Sequence, residues 1–329
     1  MDFKDAFNQF NNKRILVIGD VMVDAYIKGK VTRISPEAPV PIVQFEGRED
    51  RLGGAANVAL NLVALGANPI LCSVIGNDTD ASTLKSLLQE NGISPEGLIE
   101  SANRKTTVKT RVIGNHQQLL RIDAEQTNPI TSSESDALSA RVREICSIGI
   151  DAIIFEDYNK GVLTPALIKS IVDLSKEFDI PTTVDPKKDN FLAFKNVTLF
   201  KPNLKELKEG LGLDFNFSKD KMTFESAVKE LESNLNNRIS MVTLSEHGVF
   251  IKDENAHAYF PAHLRIISDV SGAGDTVISV ATLCLIVGMS NDMIAQVSNI
   301  AGGLVCEKSG VVPIDKNLLL EETIKLLTS

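Results

Sequence analysis

The chain predicts a layered α/β fold, a mostly parallel central sheet between helices with a small β lid, and three observations carry that prediction. Short runs such as Ile15–Ile18, Ile153–Phe155, Thr198–Phe200 and Met241–Leu244 are apolar almost throughout. Continuous rather than alternating apolar runs are the mark of strands covered on both faces. Helical patterns lie between them: Leu138, Val142, Ile145 and Ile148 share one helical stripe, and Val228, Leu231 and Leu235 share another. Two segments break the alternation. Residues 21–50 hold three prolines and two glycines and predict short strands and turns, and residues 104–123 predict a hairpin turning at Gly114-Asn115.

The alternation of strand and helix implies right-handed crossovers, and the two β insertions are expected to pair into the lid. No linker, low-complexity tract or internal repeat interrupts the 329 residues. One domain over 1–329 is therefore expected, with lid insertions at about 21–50 and 104–123. Taken in order, the strand-like runs end in polar groups: Gly19-Asp20, Glu156-Asp157, Asp185 after Thr183-Val184, Lys201-Pro202-Asn203, and Ser245-Glu246. Open parallel sheets bind ligands beyond the carboxyl ends of their strands, so the site is expected there.

Composition removes several classes. Apolar residues make up 43% and charged residues 23%, which is globular and neither disordered nor collagen-like. A net charge of −9 argues against a nucleic-acid binder but leaves room for a local basic pocket and an anionic small substrate. Cys72, Cys146, Cys284 and Cys306 are far apart and in apolar company, so reduced core thiols are expected rather than a redox or zinc pair. The first residues, MDFKDAFNQFNNKR, lack the apolar centre of a signal peptide. The uncharged stretch between Asp275 and Asp292 is too short and too rich in Ser and Thr for the ~20 residues of a membrane helix. A cytoplasmic protein without membrane contact is expected. His116, His247, His257 and His263 show no metal-ligand spacing, and neither G-x-x-x-x-G-K-[ST] nor G-x-G-x-x-G occurs, which excludes a P-loop enzyme and a dinucleotide oxidoreductase.

Two stretches carry chemistry. Asp269-Val-Ser-Gly-Ala-Gly-Asp275 precedes the apolar run TVISVATLCLIVG. Small residues opening onto a helix N-terminus make an anion hole from backbone N–H groups, here Gly272, Ala273 and Gly274. Asp275 beside it suits phosphoryl transfer, taking the proton of an attacking hydroxyl while the amides hold the phosphoryl charge. The spacing alone equally fits a first-turn helix acid. Earlier, Arg51-Leu-Gly-Gly-Ala-Ala-Asn57 precedes another helix, with Gly53 and Gly54 allowing close approach and Asn57 able to donate to and accept from a sugar hydroxyl. Asp24 is a further hydroxyl acceptor.

In this order, Gly53 to Asn57, Lys201-Pro-Asn-Leu-Lys-Glu206, Thr243-Leu-Ser-Glu-His-Gly248 and Asp269 to Asp275 resemble the ribokinase-like, or PfkB, carbohydrate kinases over essentially the whole chain. The resemblance implies a three-layer ribokinase-like fold, ATP and Mg²⁺ as cofactors, and Asp275 as general base over the 272–274 anion hole. It implies Asp20, Asp24, Gly53, Gly54 and Asn57 for the sugar. Asn203 and Glu206 would position phosphates and Mg²⁺, the glutamate through water, while Thr243, Ser245 and Gly248 line the nucleotide and Asn299 approaches the adenine. A narrower set, Gly19–Asp24, Ser35–Pro41, Gln117-Gln118 with Arg121, Asp157–Gly161 and Asp185–Lys187, is similar to the heptose 7-phosphate kinases of ADP-heptose synthesis. That likeness implies phosphorylation of C1 of D-glycero-β-D-manno-heptose 7-phosphate, with Gln118, Arg121, Lys160, Lys187 and Arg51 as candidates for the sugar and its phosphate. No H-x-G-H occurs, so a separate nucleotidyltransferase is expected in the pathway, and lid strands are expected to pair two subunits into a homodimer. The alternatives are a fructokinase- or phosphofructokinase-type member and a non-catalytic sugar-binding relative. The chain departs from the family at Ser245, where many members carry glycine, at Glu156, where a small residue is expected, and at Ser309–Pro313.

Overall fold

The computed structural model describes residues 2–328. The chain runs α1 (Phe3–Asn8), β1 (Arg14–Gly19), β2 (Val21–Ile34), β3 (Pro41–Gly54), α2 (Ala55–Ala64), β4 (Asn68–Gly76), α3 (Thr79–Glu90) and β5 (Leu98–Ser101). It continues through β6 (Val108–Gly114), β7 (Gln117–Ala124), α4 (Ser132–Ser147), β8 (Ala152–Glu156), α5 (Pro165–Glu177), β9 (Thr182–Asp185) and β10 (Leu199–Phe200). Last come α6 (Leu204–Leu211), α7 (Lys221–Leu235), β11 (Ile239–Thr243), β12 (Val249–Lys252), β13 (His257–Phe260), α8 (Ala273–Ile286), α9 (Asn291–Cys306) and α10 (Lys316–Leu327).

The large sheet has the order β13-β12-β11-β10-β9-β8-β1-β4-β5 and is parallel except for the antiparallel β12 and β13. Its strands are apolar in continuous runs because each contributes to two cores. Ile15 and Val17 of β1 pack with α1, α2, α8, α9 and α10, whereas Leu16 and Ile18 pack with α4, α5 and α7 on the other face. Burying each such side chain stabilises the fold by roughly 1.5–3 kcal/mol. The expected stripe on α7 is buried at Val228, Leu231 and Leu235. On α4 it is buried at Leu138, Val142 and Ile145 but ends early: Ile148 is the C-cap and is exposed. All four cysteines are free and buried, and among the described residues no helix is long and apolar enough to cross a membrane.

The small sheet has the order β3-β2-β6-β7. Its first hairpin departs from the short strands the prolines suggested. β2 and β3 are long strands that absorb irregularity through register shifts at Lys28/Gly29 and Val31/Arg33, and the prolines cluster at the turn and the start of β3. The second hairpin turns one residue later than expected. Asn115 and His116 take φ of 50° and 67°, and both amide groups of the Asn115 side chain tie the turn to Val31. A two-residue hairpin turn of this kind needs positive φ at both positions, which asparagine tolerates well.

Candidate active site

The carboxyl ends of β1, β8, β9, β10 and β11 open towards the start of α8, and the candidate residues gather there. α8 is buried along Asp275–Cys284, so its polar side chains must be satisfied locally. Thr276, Ser279 and Thr282 donate to the carbonyls of Gly272, Asp275 and Ile278, and Asn61 on α2 accepts from the Thr276 hydroxyl at 3.0 Å. Asn61 also accepts from the Ile314 N–H and donates to the carbonyl of Asn57. This asparagine clamps α2, α8 and the segment before α10 together. Sequence reasoning missed it, although its place one turn beyond Asn57 on the same helical face was a usable signal.

Asp275 is buried and doubly held. Asn57 Nδ2 donates to Oδ2 at 2.5 Å, and the Tyr158 hydroxyl donates to Oδ1 at 2.8 Å. Burial pushes its carboxyl up to about 6, against the pull of those two hydrogen bonds. Gly272 caps α8 at φ 78°, no side chain caps the first turn, and a Cβ at Gly272 would stand 3.0 Å from Asn57 Nδ2. The Ala273 N–H donates to the Val270 carbonyl at 3.3 Å, so the amides of Gly274 and Asp275 are the ones placed for an incoming anion, with a carboxylate beside them. Asn57 leaves its own Oδ1 buried without a partner, a free acceptor for a sugar hydroxyl. Asp269 accepts from the N–H groups of Ser271 and Gly310, and so fixes this turn against residues 309–313. A Cβ on Gly310 would meet Arg51 Nη1 at 3.3 Å, which puts Arg51 at the same mouth.

The small sheet has two chemically different faces. On one, the rows Arg51–Asp24–Lys109–Asp123 and Glu49–Tyr26–Arg111–Arg121 lie side by side. Arg111 donates to Asp24 at 2.6 Å, and both Arg51 and Arg111 stack over the Tyr26 ring. Gly53 is required here, because a Cβ would strike Asp24 Oδ2. Lys109 and Arg111 went unnoticed in the sequence, where their two-residue spacing on a strand was the available signal. Lys160 reaches Glu125 at 2.8 Å, and Glu125 also meets Lys109. Gln118 and Arg121 lie on the exposed β7, where Arg121 pairs with Asp123.

Other candidates have different company. Asp20 is buried, with its carboxylate accepting from the N–H groups of Tyr158, Lys160 and Val162. It shapes the loop that delivers Tyr158 and Lys160 rather than facing outward. Lys187 sits apart from Lys160: it pairs with Glu206, lies 3.9 Å from Asp185 and stacks on Tyr158. Burial disfavours its ammonium, but Asp185 and Glu206 outweigh that and hold its pKa above the usual lysine value. Glu206 closes a capping box with Asn203, and Asn203 bridges to Thr243, which places three of the nucleotide candidates together. Ser245 adopts φ 52°, a conformation glycine takes without strain. Asn299 donates to the Pro261 carbonyl. The carboxylates of Glu156, Asp185, Asp275 and Glu206 are hard oxygen donors, which suit Mg²⁺.

The profile of the pfkB family carbohydrate kinase matches residues 12–317. Among curated proteins, the bifunctional protein HldE of Methylobacillus flagellatus is 39% identical over 94% of this chain and 62% of its own length. HldE of Magnetococcus marinus is likewise 39% identical, over 94% of this chain and 64% of its length. The chain thus spans less than two thirds of the curated relatives it matches. Phosphofructokinase-2 from Escherichia coli in complex with fructose-6-phosphate superposes with a TM-score of 0.75 at 17% identity, covering 97% of this chain and all of that one. A ribokinase from Arabidopsis thaliana complexed with ribose and ATP superposes with a TM-score of 0.72 at 15% identity, covering 94% and 99%. The architecture is thus ribokinase-like, and the chain belongs to the pfkB family of carbohydrate kinases.

Proposed function

We propose that this sugar kinase transfers the γ-phosphoryl group of ATP to the C1 hydroxyl of D-glycero-β-D-manno-heptose 7-phosphate. The observation that carries the reaction is Asp275, held by Asn57 and Tyr158 beside the uncapped start of α8. Asp275 takes the hydroxyl proton, the sugar oxygen bonds to the γ-phosphorus, and the bond to ADP breaks. The Gly274 and Asp275 amides hold the charge on the transferring group. Asn203, Glu206 and Lys187 would hold the nucleotide phosphates, and Mg²⁺ held by Glu206 would supply charge neutralisation to them. Asp24, Gly53 and the free Oδ1 of Asn57 receive the sugar. The heptose reading is supported by the similarity of Gly19–Asp24, Ser35–Pro41 and Asp157–Gly161 to heptose 7-phosphate kinases and by the HldE relatives.

The charged face of the small sheet supplies the cations for a sugar phosphate: Lys109, Arg111 and, across Glu125, Lys160. Heptose 7-phosphate, fructose 6-phosphate, ribose and fructose competed in one coupled assay test the reading. The phosphorylated heptose is expected to lead the unphosphorylated sugars by at least ~100-fold in kcat/KM, a difference of about 2.7 kcal/mol, the scale of one or two hydrogen bonds from charged groups to a phosphate. Lys160→Ala should narrow that gap by hurting the phosphorylated substrate selectively. Lys187→Ala, on the nucleotide side, should lower kcat for every sugar alike. Preference for plain ribose or fructose would overturn the heptose assignment.

A further inference from the structure

The ends of β8 and β9 place Glu156 and Asp185 as register partners, and the first turn of α8 brings Asp275 against them. One oxygen from each of these buried carboxylates lies within 4.8 Å of the others. The lysines nearby are already committed. Lys201 reaches Asp185 at 2.9 Å, and Lys187 serves Glu206 while lying 3.9 Å from Asp185. Four carboxylates, Glu156, Asp185, Asp275 and Glu206, thus crowd around two ammonium groups.

Glu156 is the member that stands out. It is 1% exposed, and neither of its carboxylate oxygens has a hydrogen-bond partner, whereas Asp275 has Asn57 and Tyr158. A buried carboxylate without a donor either takes up a proton or meets a cation, and burial beside Asp185 and Asp275 raises the Glu156 pKa well above the ordinary carboxylate value. The space beside it is kept open, since Gly274 has no Cβ to crowd Asp185 Oδ2, which a methyl there would approach to 3.2 Å. The donors are all oxygen and hard, the ligand class of Mg²⁺ and Mn²⁺.

We propose that Glu156 and Asp185 ligate a divalent cation directly, at a site built into this chain and filled without nucleotide. Asp275 keeps its two donors and its role as base beside the ion. Of the functional reading above, the proposal borrows only the role of Asp275.

The test uses the whole chain, stripped of metal, without nucleotide or sugar. Mn²⁺ binding is followed by electron paramagnetic resonance and calorimetry, and thermal unfolding is recorded with and without Mn²⁺. A single Mn²⁺ displaced by Mg²⁺ is expected, together with a higher melting temperature. Glu156→Gln keeps the shape and removes a buried charge, so it should melt no lower than wild type in metal-free buffer. It should bind Mn²⁺ at least ~10-fold more weakly and lose the thermal shift, and Glu156→Ala should behave alike. Wild type that binds no Mn²⁺ without nucleotide, or a Glu156→Gln chain that binds it as tightly as wild type, would overturn the proposal. Neither outcome touches the identity of the sugar, which the competition assay decides separately.

Discussion

At the residue scale the proposed reaction turns on one carboxyl whose proton affinity the fold has changed. As the proposed base, Asp275 would act only when ionised, and burial has pushed it up to about 6. kcat/KM, which reports the free enzyme, is therefore expected to fall about tenfold per pH unit below pH ~6 and to level off above it. The same shift acts on stability with the opposite sense. An acid whose folded pKa exceeds its unfolded value of ~3.9 binds its proton more tightly in the folded chain. Its contribution to stability is complete below pH ~4 and is lost as pH rises through about 6. Asp157 is also pushed up to about 6 by burial, but its oxygens serve Asn159 N–H and Asn190 Nδ2. Asp157→Asn should keep the acid limb, whereas Asp275→Asn should cost at least ~10²-fold in kcat with the fold intact. A pH profile and kinetics of the two variants decide it; an Asp275→Asn enzyme with more than a tenth of wild-type kcat would remove the base assignment. Asp275, Asn57 and the 272–274 turn were legible in the sequence because the chemistry of an anion hole demands small residues followed by an acid. Tyr158, the second donor to Asp275, was not, since a tyrosine in a polar loop carries no pattern until the fold aims it.

At the scale of elements, the start of α8 is set by a left-handed residue that only glycine adopts cheaply. Gly272→Ala adds the strain of φ 78° and a Cβ 3.0 Å from both Asn57 Nδ2 and Val311 Cγ1. Gly288→Ala provides the matched control, with φ 75° and nothing within 4 Å of its Cβ. Urea unfolding is expected to show ~1–2 kcal/mol lost in both from the backbone alone. Only Gly272→Ala should also lose kcat, by pushing Asn57 off Asp275; equal kcat in the two variants would mean that the contact does not matter. The main elements could be read in advance because strands covered on both faces must be apolar throughout and helices between them must show a stripe. Boundaries were harder where tertiary contacts decide them. Ile148 fits the α4 stripe but is itself the C-cap, beyond the last helical turn, and the long β2–β3 hairpin is held by its partner strands and bulges against what its prolines suggest.

At the scale of the whole molecule, the small sheet raises the question of what covers its second face. The rows Arg48–Ile27–Val112–Leu120 and Asp50–Ala25–Thr110–Ile122 lie opposite the charged rows proposed to face the substrate. Leu120 and Ile122 are exposed there, β7 is exposed along its whole length as an edge strand, and Ile34, Val40 and Phe45 add exposed apolar surface at the far hairpin. Contiguous apolar surface of this kind, and an edge strand without a partner, mark association. We propose that two copies of the chain pair through this face of the sheet, which would leave each charged face turned to its own substrate. Sedimentation equilibrium at micromolar concentration should then give twice the 35.7 kDa chain mass. Leu120→Lys combined with Ile122→Lys removes two side chains whose burial is worth roughly 1.5–3 kcal/mol each and sets like charges against each other across the interface. That variant should sediment as a monomer with unchanged far-ultraviolet circular dichroism. A variant that stays dimeric would put the interface elsewhere, and a wild-type chain of single mass at every concentration would remove the pairing altogether.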